Sequence, residues 1–118
     1  MILDSLPRHA RPGENLRFIG FWASTFQPDL PIPWDYLDPA WDRTERTRVV
    51  RYLRNAPEVQ WWRGYSDCRI CGARNGTTDR SDGTFLWPDG FAHYLERHGV
   101  RPPEEFLQHV RRALGGGT

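Results

Sequence analysis

Residues 67–76 read DCRICGARNG and contain the only cysteines of the 118-residue chain, Cys68 and Cys71. Two cysteines at this spacing can point both sulfur atoms at one metal ion, and Gly72 relieves the backbone crowding that follows such a turn. The same spacing occurs in thioredoxin-like redox motifs, which belong to a strand-then-helix context. Here turn residues follow the second cysteine, so the sequence favours half of a metal site. A redox pair, or two buried thiols without a ligand, is the alternative.

Two histidines, His93 and His98, complete a set of four zinc-type ligands. The pattern is C-x2-C, a long gap and H-x4-H, and structural zinc sites commonly join C-x2-4-C to H-x3-5-H. Two residues five apart on an ideal helix diverge by about 140°. Both histidines therefore reach one ion only if the helix ends near His98, and Gly99 supplies that end. We predict one structural Zn²⁺ held by Cys68, Cys71, His93 and His98.

The gap between the two ligand pairs has room for a β-hairpin. In TTDRSDGTFLW (77–87), the turn signal Asp82-Gly83 separates two short extended runs. Asp89 is then placed to cap the short helix that carries the histidines. A cysteine knuckle, a hairpin and a helix, in this order, predict a treble-clef-like zinc module over 64–100.

The chain before the cysteines predicts two strands on either side of a loop and a helix. LRFIGFWAS (16–24) is aromatic and β-branched enough for a short strand. EVQWWRGY (58–65) reads as a second strand, in which Trp61 and Trp62 face opposite ways. The prolines of QPDLPIPWDYLDP (27–39) predict an extended loop. We expect four of its apolar residues to pin this loop to the core: Leu30, Ile32, Trp34 and Leu37.

Capping signals predict two further helices. Asp42 can cap the first, with Glu45 three residues later, and Pro57 stops it. Its apolar side contains Val49, Val50 and Leu53. Its other side contains Arg43, Thr47, Arg48, Arg51 and Arg54. We interpret this side as solvated or as a surface for an anionic partner. The last helix begins at Pro103, and its apolar residues at helical spacing are Phe106, Leu107, Val110, Ala113 and Leu114.

These elements predict the α+β class, with short antiparallel strands and about three helices. A length of 118 residues suits one domain with one core. Within this single domain, 1–118, we distinguish four parts: an irregular arm (1–15), an N-terminal strand, Pro-rich loop and helix (16–63), the zinc module (64–100), and a C-terminal helix and tail (101–118).

Composition and hydropathy argue against a nucleic-acid partner, a membrane span and secretion. The formal net charge is +1, whereas dedicated nucleic-acid-binding domains are strongly basic. No stretch approaches the 18 or more apolar residues of a membrane span, and the N-terminus lacks the pattern of a secretion signal. We therefore expect a cytoplasmic protein without a membrane partner, in a compartment where disulfides are rare.

Residues 64–110 resemble a family of small bacterial proteins. The shared motifs are C-R-x-C-G-x-x-N-G, D-G-x-x-x-W-P-x-G and H-Y-x-x-x-H, which here begin at Cys68, Asp82 and His93. The likeness extends more loosely to the P-D-L-P-x-P loop and the helix that follows it. The resemblance implies the same architecture and the same ligand set. It implies no activity, because no activity is established for that family.

Three functions remain open from the sequence. The first is a non-catalytic, zinc-stabilised binding or adaptor module for a protein partner, for instance an inhibitor or antidote, because Trp and Arg are favoured at interface hot spots. The second is nucleic-acid binding through the arginine side of the first helix. The third is a zinc hydrolase with Glu96 as base, which requires one ligand to be off the metal. His9 and His109 are expected at the surface, and either can replace a misplaced His98.

Overall fold

The computed structural model describes residues 16–23, 28–61 and 67–115. These residues form a four-stranded sheet, of order β1-β4-β3-β2, and three α-helices. In chain order the elements are β1 (Arg17–Phe18), α1 (Arg43–Asn55), β2 (Glu58–Trp61), β3 (Thr78–Ser81), β4 (Phe85–Pro88), α2 (Phe91–His98) and α3 (Glu104–Ala113). The predicted α+β class and the three helices are confirmed.

The hairpin of β3 and β4 is the centre of the sheet. It turns at Asp82-Gly83, as predicted, and Gly83 has a φ of 94°, which glycine adopts without steric cost. β2 pairs with β3 in the antiparallel sense. β1 lies on the other side of the hairpin and pairs with β4 in parallel, whereas the sequence predicted antiparallel strands.

The core lies between the sheet and the three helices. α1 contributes its predicted apolar side, Val49, Val50 and Leu53. From α3, Phe106 is fully buried, and its ring centre lies 4.9 Å from that of Phe85 and 5.9 Å from that of Trp87. Of the apolar residues at helical spacing in α3, Ala113 and Leu114 are exposed because they lie at its end, beyond the core.

Helix capping follows the sequence at α1 and departs from it at α2. The carboxylate of Asp42 accepts a hydrogen bond of 2.8 Å from the backbone N–H of Glu45, as expected of an N-cap. The N-cap of α2, however, is Gly90 and makes no side-chain cap hydrogen bond. Asp89, predicted to cap α2, instead accepts a 2.6 Å bond from Nε of Arg80. A charged donor on the neighbouring strand outcompetes the helix for this carboxylate.

The Pro-rich loop is anchored by different residues from those predicted. Pro33–Tyr36 form a 3₁₀ helix, with Pro33 buried and the Tyr36 ring 6.1 Å from that of Trp22. Leu30 is half-buried, but Ile32, Trp34 and Leu37 are 45%, 51% and 43% exposed, so this expectation is wrong for those three. The 3₁₀ period of three residues explains the reversal. It turns Pro33 and Tyr36 inward together and leaves their neighbours outside.

Some predictions concern parts of the chain outside the described residues. These are the irregular arm (1–15), which includes His9, and the orientation of Trp61 and Trp62 in a strand. The division of the single domain into four parts likewise stays a prediction. Across 16–23, 28–61 and 67–115, no helix has the length and apolar character needed to cross a membrane.

Candidate metal centre

The four predicted ligands lie together in the fold. One donor atom from each of Cys68, Cys71, His93 and His98 can be chosen so that all four lie within 4.8 Å of one another. Sγ of Cys71 is 3.4 Å from Nε2 of His93. A tetrahedral zinc shell, with its usual Zn–S and Zn–N bonds, separates neighbouring sulfur and nitrogen ligands by about 3.5 Å. The arrangement therefore has the size of a metal site.

The cysteines lie on a tight turn closed by its own backbone. The N–H of Cys68 donates to the carbonyl of Ala73 at 2.8 Å, and the N–H of Gly72 donates to the carbonyl of Cys68 at 2.9 Å. The N–H of Ile70 points at Sγ of Cys68, 3.4 Å away. Gly72 has a φ of 77°, so the glycine after the second cysteine has the role that the sequence predicted.

The two histidines approach each other because α2 ends at the second of them, His98. His93 lies in the first turn of α2 and His98 is its last residue. Gly99 then adopts a left-handed conformation with a φ of 70°, and its N–H donates to the carbonyl of Leu95. The two imidazole ring centres are 5.1 Å apart. The predicted requirement that the helix end near His98 is confirmed.

His98 has a buried polar atom that needs a ligand. Its Nε2 is shielded from solvent and has no hydrogen-bond partner among the described residues. A buried polar group without a partner costs free energy, of the order of 1–3 kcal/mol in proteins. A metal ion at the centre of the cluster would satisfy this nitrogen. This orphaned atom is independent support for a metal, because it does not depend on the spacing of the motif.

The electrostatics of the site suit a neutral imidazole. Burial lowers the pKa of His93, and the neighbouring His98 and Arg97 side chains lower it further by disfavouring a second positive charge beside them. Only a neutral imidazole offers a lone pair to a metal. His93 is therefore in its metal-binding form near neutral pH.

Tyr94 joins the cysteine turn to α2. Its hydroxyl accepts a 2.6 Å hydrogen bond from the backbone N–H of Arg69, and its ring lies 6.1 Å from that of His93 and 6.3 Å from that of His98. Burial raises the pKa of Tyr94 to about 12, so the hydroxyl stays protonated. Tyr94 therefore packs against both histidines of the cluster.

A second contact between the turn and α2 was not foreseen from the sequence. A Cβ added to Gly90 would lie 2.3 Å from both Cγ and the carbonyl oxygen of Asn75, and one added to Gly76 would lie 2.9 Å from Oδ2 of Asp89. Only glycine allows the backbone of one motif to approach the other so closely. The N-G and W-P-x-G motifs thus form one packed junction that fixes the cysteines relative to α2.

We expect Gly90→Ala to destabilise the protein by about 2–3 kcal/mol, because the added methyl group overpacks this junction. Gly90 has an ordinary negative φ of -73°, so alanine incurs no backbone strain there. Denaturant unfolding measures the loss. Gly83→Ala is the matched control, because its Cβ meets open space and only its φ of 94° is unfavourable, with an expected cost of about 1 kcal/mol. An unchanged or increased stability of Gly90→Ala, as for a helical glycine in open space, would contradict the close contact.

Glu96 and His109, the two other sequence candidates, lie outside the cluster. Glu96 is exposed and accepts a 2.9 Å hydrogen bond from Arg54, which lowers its pKa. His109 was expected as a surface residue, but it is half-buried against Phe85 and its Nε2 lies 2.7 Å from Oδ2 of Asp82. No local pattern indicates this pair, because 27 positions separate its members.

Comparison of the chain with known protein families, with curated proteins and with solved structures gives no match. The resemblance to a family of small bacterial proteins therefore stays a prediction. The case for the metal centre rests on the geometry of its four residues and on the orphaned nitrogen of His98.

Proposed function

We propose that the chain is a non-catalytic binding module for a protein partner, stabilised by one structural Zn²⁺ on Cys68, Cys71, His93 and His98. The observation that carries the metal part is the convergence of four Cys and His donors within 4.8 Å. Two sulfurs and two nitrogens form a closed tetrahedral shell, which is typical of structural zinc, whereas catalytic zinc keeps one position open. The order of turn, hairpin and helix supports a treble-clef-like module.

Elemental analysis and cobalt substitution test the metal site. We expect one zinc per chain, and we expect the Co²⁺-substituted protein to have the intense visible bands of tetrahedral cobalt with sulfur-to-metal charge transfer at higher energy. Cys71→Ser should lower the zinc content and weaken the cobalt bands, because an alcohol is a poor ligand for these ions. A protein that binds no zinc, or a pale octahedral Co²⁺ spectrum, would contradict the proposed shell.

The contacts of Glu96 argue against a hydrolase. A general base works best with a pKa near the working pH, and the hydrogen bond from Arg54 moves the pKa of Glu96 in the opposite direction. We expect Glu96→Gln to keep its zinc and to change stability by about 0.5 kcal/mol or less, because the Arg54 contact is an exposed ion pair. Metal content and thermal melting measure this. Loss of zinc from Glu96→Gln would mean that this residue supports the site.

The partner part of the proposal is supported by the exposed apolar residues Ile32, Trp34 and Leu37. Exposed tryptophan is rare on a surface that contacts only water and is enriched at interface hot spots. An inhibitor or antidote is one form of such a module.

Nucleic-acid binding is the alternative, favoured by the predicted arginine side of α1. Arg48 and Arg51 are exposed there and line an open groove of about 1030 Å³ between α1 and α3. A nucleic-acid complex weakens steeply with added salt because bound counterions are released. Titration of a fluorescent oligonucleotide at two salt concentrations therefore separates this alternative from an apolar protein interface.

A further inference from the structure

Three of the five exposed large apolar residues in the described part of the chain, Ile32, Trp34 and Leu37, share one short turn. Trp34 and Leu37 are three positions apart at the 3₁₀ helix, where side chains with this spacing lie on the same side. Ile32 precedes the helix, and its carbonyl accepts a 3.1 Å bond from the N–H of Asp35. We call Ile32, Trp34 and Leu37, with the neighbouring Asp29 and Asp35, the turn surface.

The turn surface is held in place by the chain that leaves the metal centre. The N–H of Asp38 donates to the carbonyl of Gly99 at 3.0 Å, and the N–H of Arg101 donates to the carbonyl of Tyr36 at 2.8 Å. Leu37 forms an antiparallel bridge with Val100. These bonds begin at the residue directly after His98. A metal that fixes His98 therefore also fixes the backbone beneath Leu37.

Rigidity of this kind favours binding. Prolines at 28, 31, 33 and 39 restrict the backbone of the turn surface to few conformations before a partner binds. A preorganised surface loses less conformational entropy when a partner binds. Trp34 therefore projects from a fixed frame, as a hot-spot residue does.

The charge of the segment limits the chemistry of the partner. Residues 28–42 contain four aspartates and no basic residue. Asp42 caps α1, and Asp38 lies 3.2 Å from a guanidinium nitrogen of Arg101. Asp29 and Asp35 are exposed, and no side chain among the described residues pairs with their carboxylates. The exposed apolar residues are thus accompanied in the same segment by two exposed carboxylates.

We propose that the turn surface docks into an apolar cleft of a partner protein whose rim carries Lys or Arg side chains. Trp34 and Leu37 fill the cleft, and Asp29 and Asp35 meet the basic rim. This inference rests on the proposed function and names the surface that performs it. The apolar contacts provide the affinity, and the rim charges provide orientation and rate of association.

The test replaces Trp34 with the photo-cross-linking residue benzoylphenylalanine in the zinc-loaded protein. The protein is irradiated in a lysate of the source organism, and the cross-linked peptide is sequenced. The matched control carries the same residue at Val59, an exposed apolar position on β2, outside the turn surface. Unlabelled competitors are the wild-type chain, Leu37→Ala, and the double variant Asp29→Asn with Asp35→Asn.

The expected result is one protein adduct, specific to position 34, on an apolar peptide with neighbouring Lys or Arg residues. We expect Leu37→Ala to require about ten-fold more protein than the wild type to suppress the adduct, which corresponds to the loss of about 1.4 kcal/mol of binding free energy. The double Asn variant should compete less well at low salt and equally at high salt.

Other outcomes would overturn the assignment. Adducts with nucleic acid, with lipid or with a second copy of this chain contradict the proposed partner class, as does equal competition by the wild type and the double Asn variant at low salt. A protein adduct from position 59 alone overturns the turn surface but leaves the proposed function standing. No protein adduct from either position contradicts both.

Discussion

Stripping the metal with a strong chelator is expected to lower the melting temperature by about 15 °C or more. Structural zinc supplies about 10–16 kcal/mol of apparent binding free energy in zinc-finger peptides, and even a loss of about 4 kcal/mol would produce this shift in a chain of this size. Without the ion, the four donor atoms lie within 4.8 Å of one another, and the metal bonds that would hold them there are lost. The turn at Cys68 and the end of α2 at His98 should therefore loosen first.

The loss should be local before it is global. α1 and α3 pack on the hairpin through Leu53 and Phe106, which do not depend on the metal. Hydrogen exchange followed by mass spectrometry should therefore show faster exchange over 67–76 and 91–101 in the stripped protein, with the hairpin protected.

The variant His93→Ala should reproduce the effect of the chelator in the protein prepared with zinc. His109→Gln is the matched control, because His109 lies outside the cluster and should leave the zinc content at one per chain. An unchanged melting temperature of His93→Ala, or full stability after chelation, would contradict a structural metal. Loss of zinc from His109→Gln would instead place that histidine at the ion.

The features that the sequence predicted depend on local signals. Asp42, the Asp82-Gly83 turn and Gly99 each determine a cap or turn through residues at most four positions away, and each is confirmed. The clustering of the four Cys and His residues could also be predicted, because cysteines and histidines at these spacings commonly converge on one metal site. The end of α2 at His98 explains how two histidines five positions apart come close to each other.

The features that the sequence missed depend on contacts between distant segments. The fit of Gly90 against Asn75 brings together two turns, and neither motif alone contains a sign of the other. The Pro-rich loop shows the same limit, since its apolar residues were expected in the core. The three-residue period of the 3₁₀ helix instead turned inward Tyr36, which was not among the predicted anchors. An apolar residue in an irregular loop has no periodicity from which its direction can be predicted.

The interaction of Asp82 with α1 and α3 is a polar contact that the sequence did not indicate. Its Oδ1 accepts 2.9 Å bonds from the N–H groups of Thr84 and Phe85. Its Oδ2 accepts from the hydroxyl of Tyr52 in α1 and lies 2.7 Å from Nε2 of His109 in α3. The side chain is only 11% exposed. One carboxylate therefore closes the hairpin turn and joins it to two helices.

We expect Asp82→Ala to destabilise the protein by about 3 kcal/mol, because the hydrogen-bond partners of this largely buried carboxylate are left unpaired. Asp35→Ala is the matched control, an aspartate on an exposed turn, with an expected change of about 0.5 kcal/mol or less. Denaturant unfolding at neutral pH compares the two. A cost for Asp82→Ala no larger than that for Asp35→Ala would mean that the contacts with Tyr52 and His109 contribute nothing to the fold.

The pH dependence of this difference provides a second test of the same contact. Burial alone would raise the pKa of Asp82, but the hydrogen bonds from the Phe85 N–H, the Tyr52 hydroxyl, the Thr84 N–H and His109 outweigh it and hold the pKa below its ordinary value. A lowered carboxyl pKa stabilises the fold above the unfolded value of about 3.9 and loses that stabilisation as the pH falls through the folded value. The stability gap between the wild type and Asp82→Ala should therefore be constant from neutral pH to about pH 5 and should narrow below about pH 4. A gap that widens on acidification would mean that the buried carboxyl is stabilised in its protonated form.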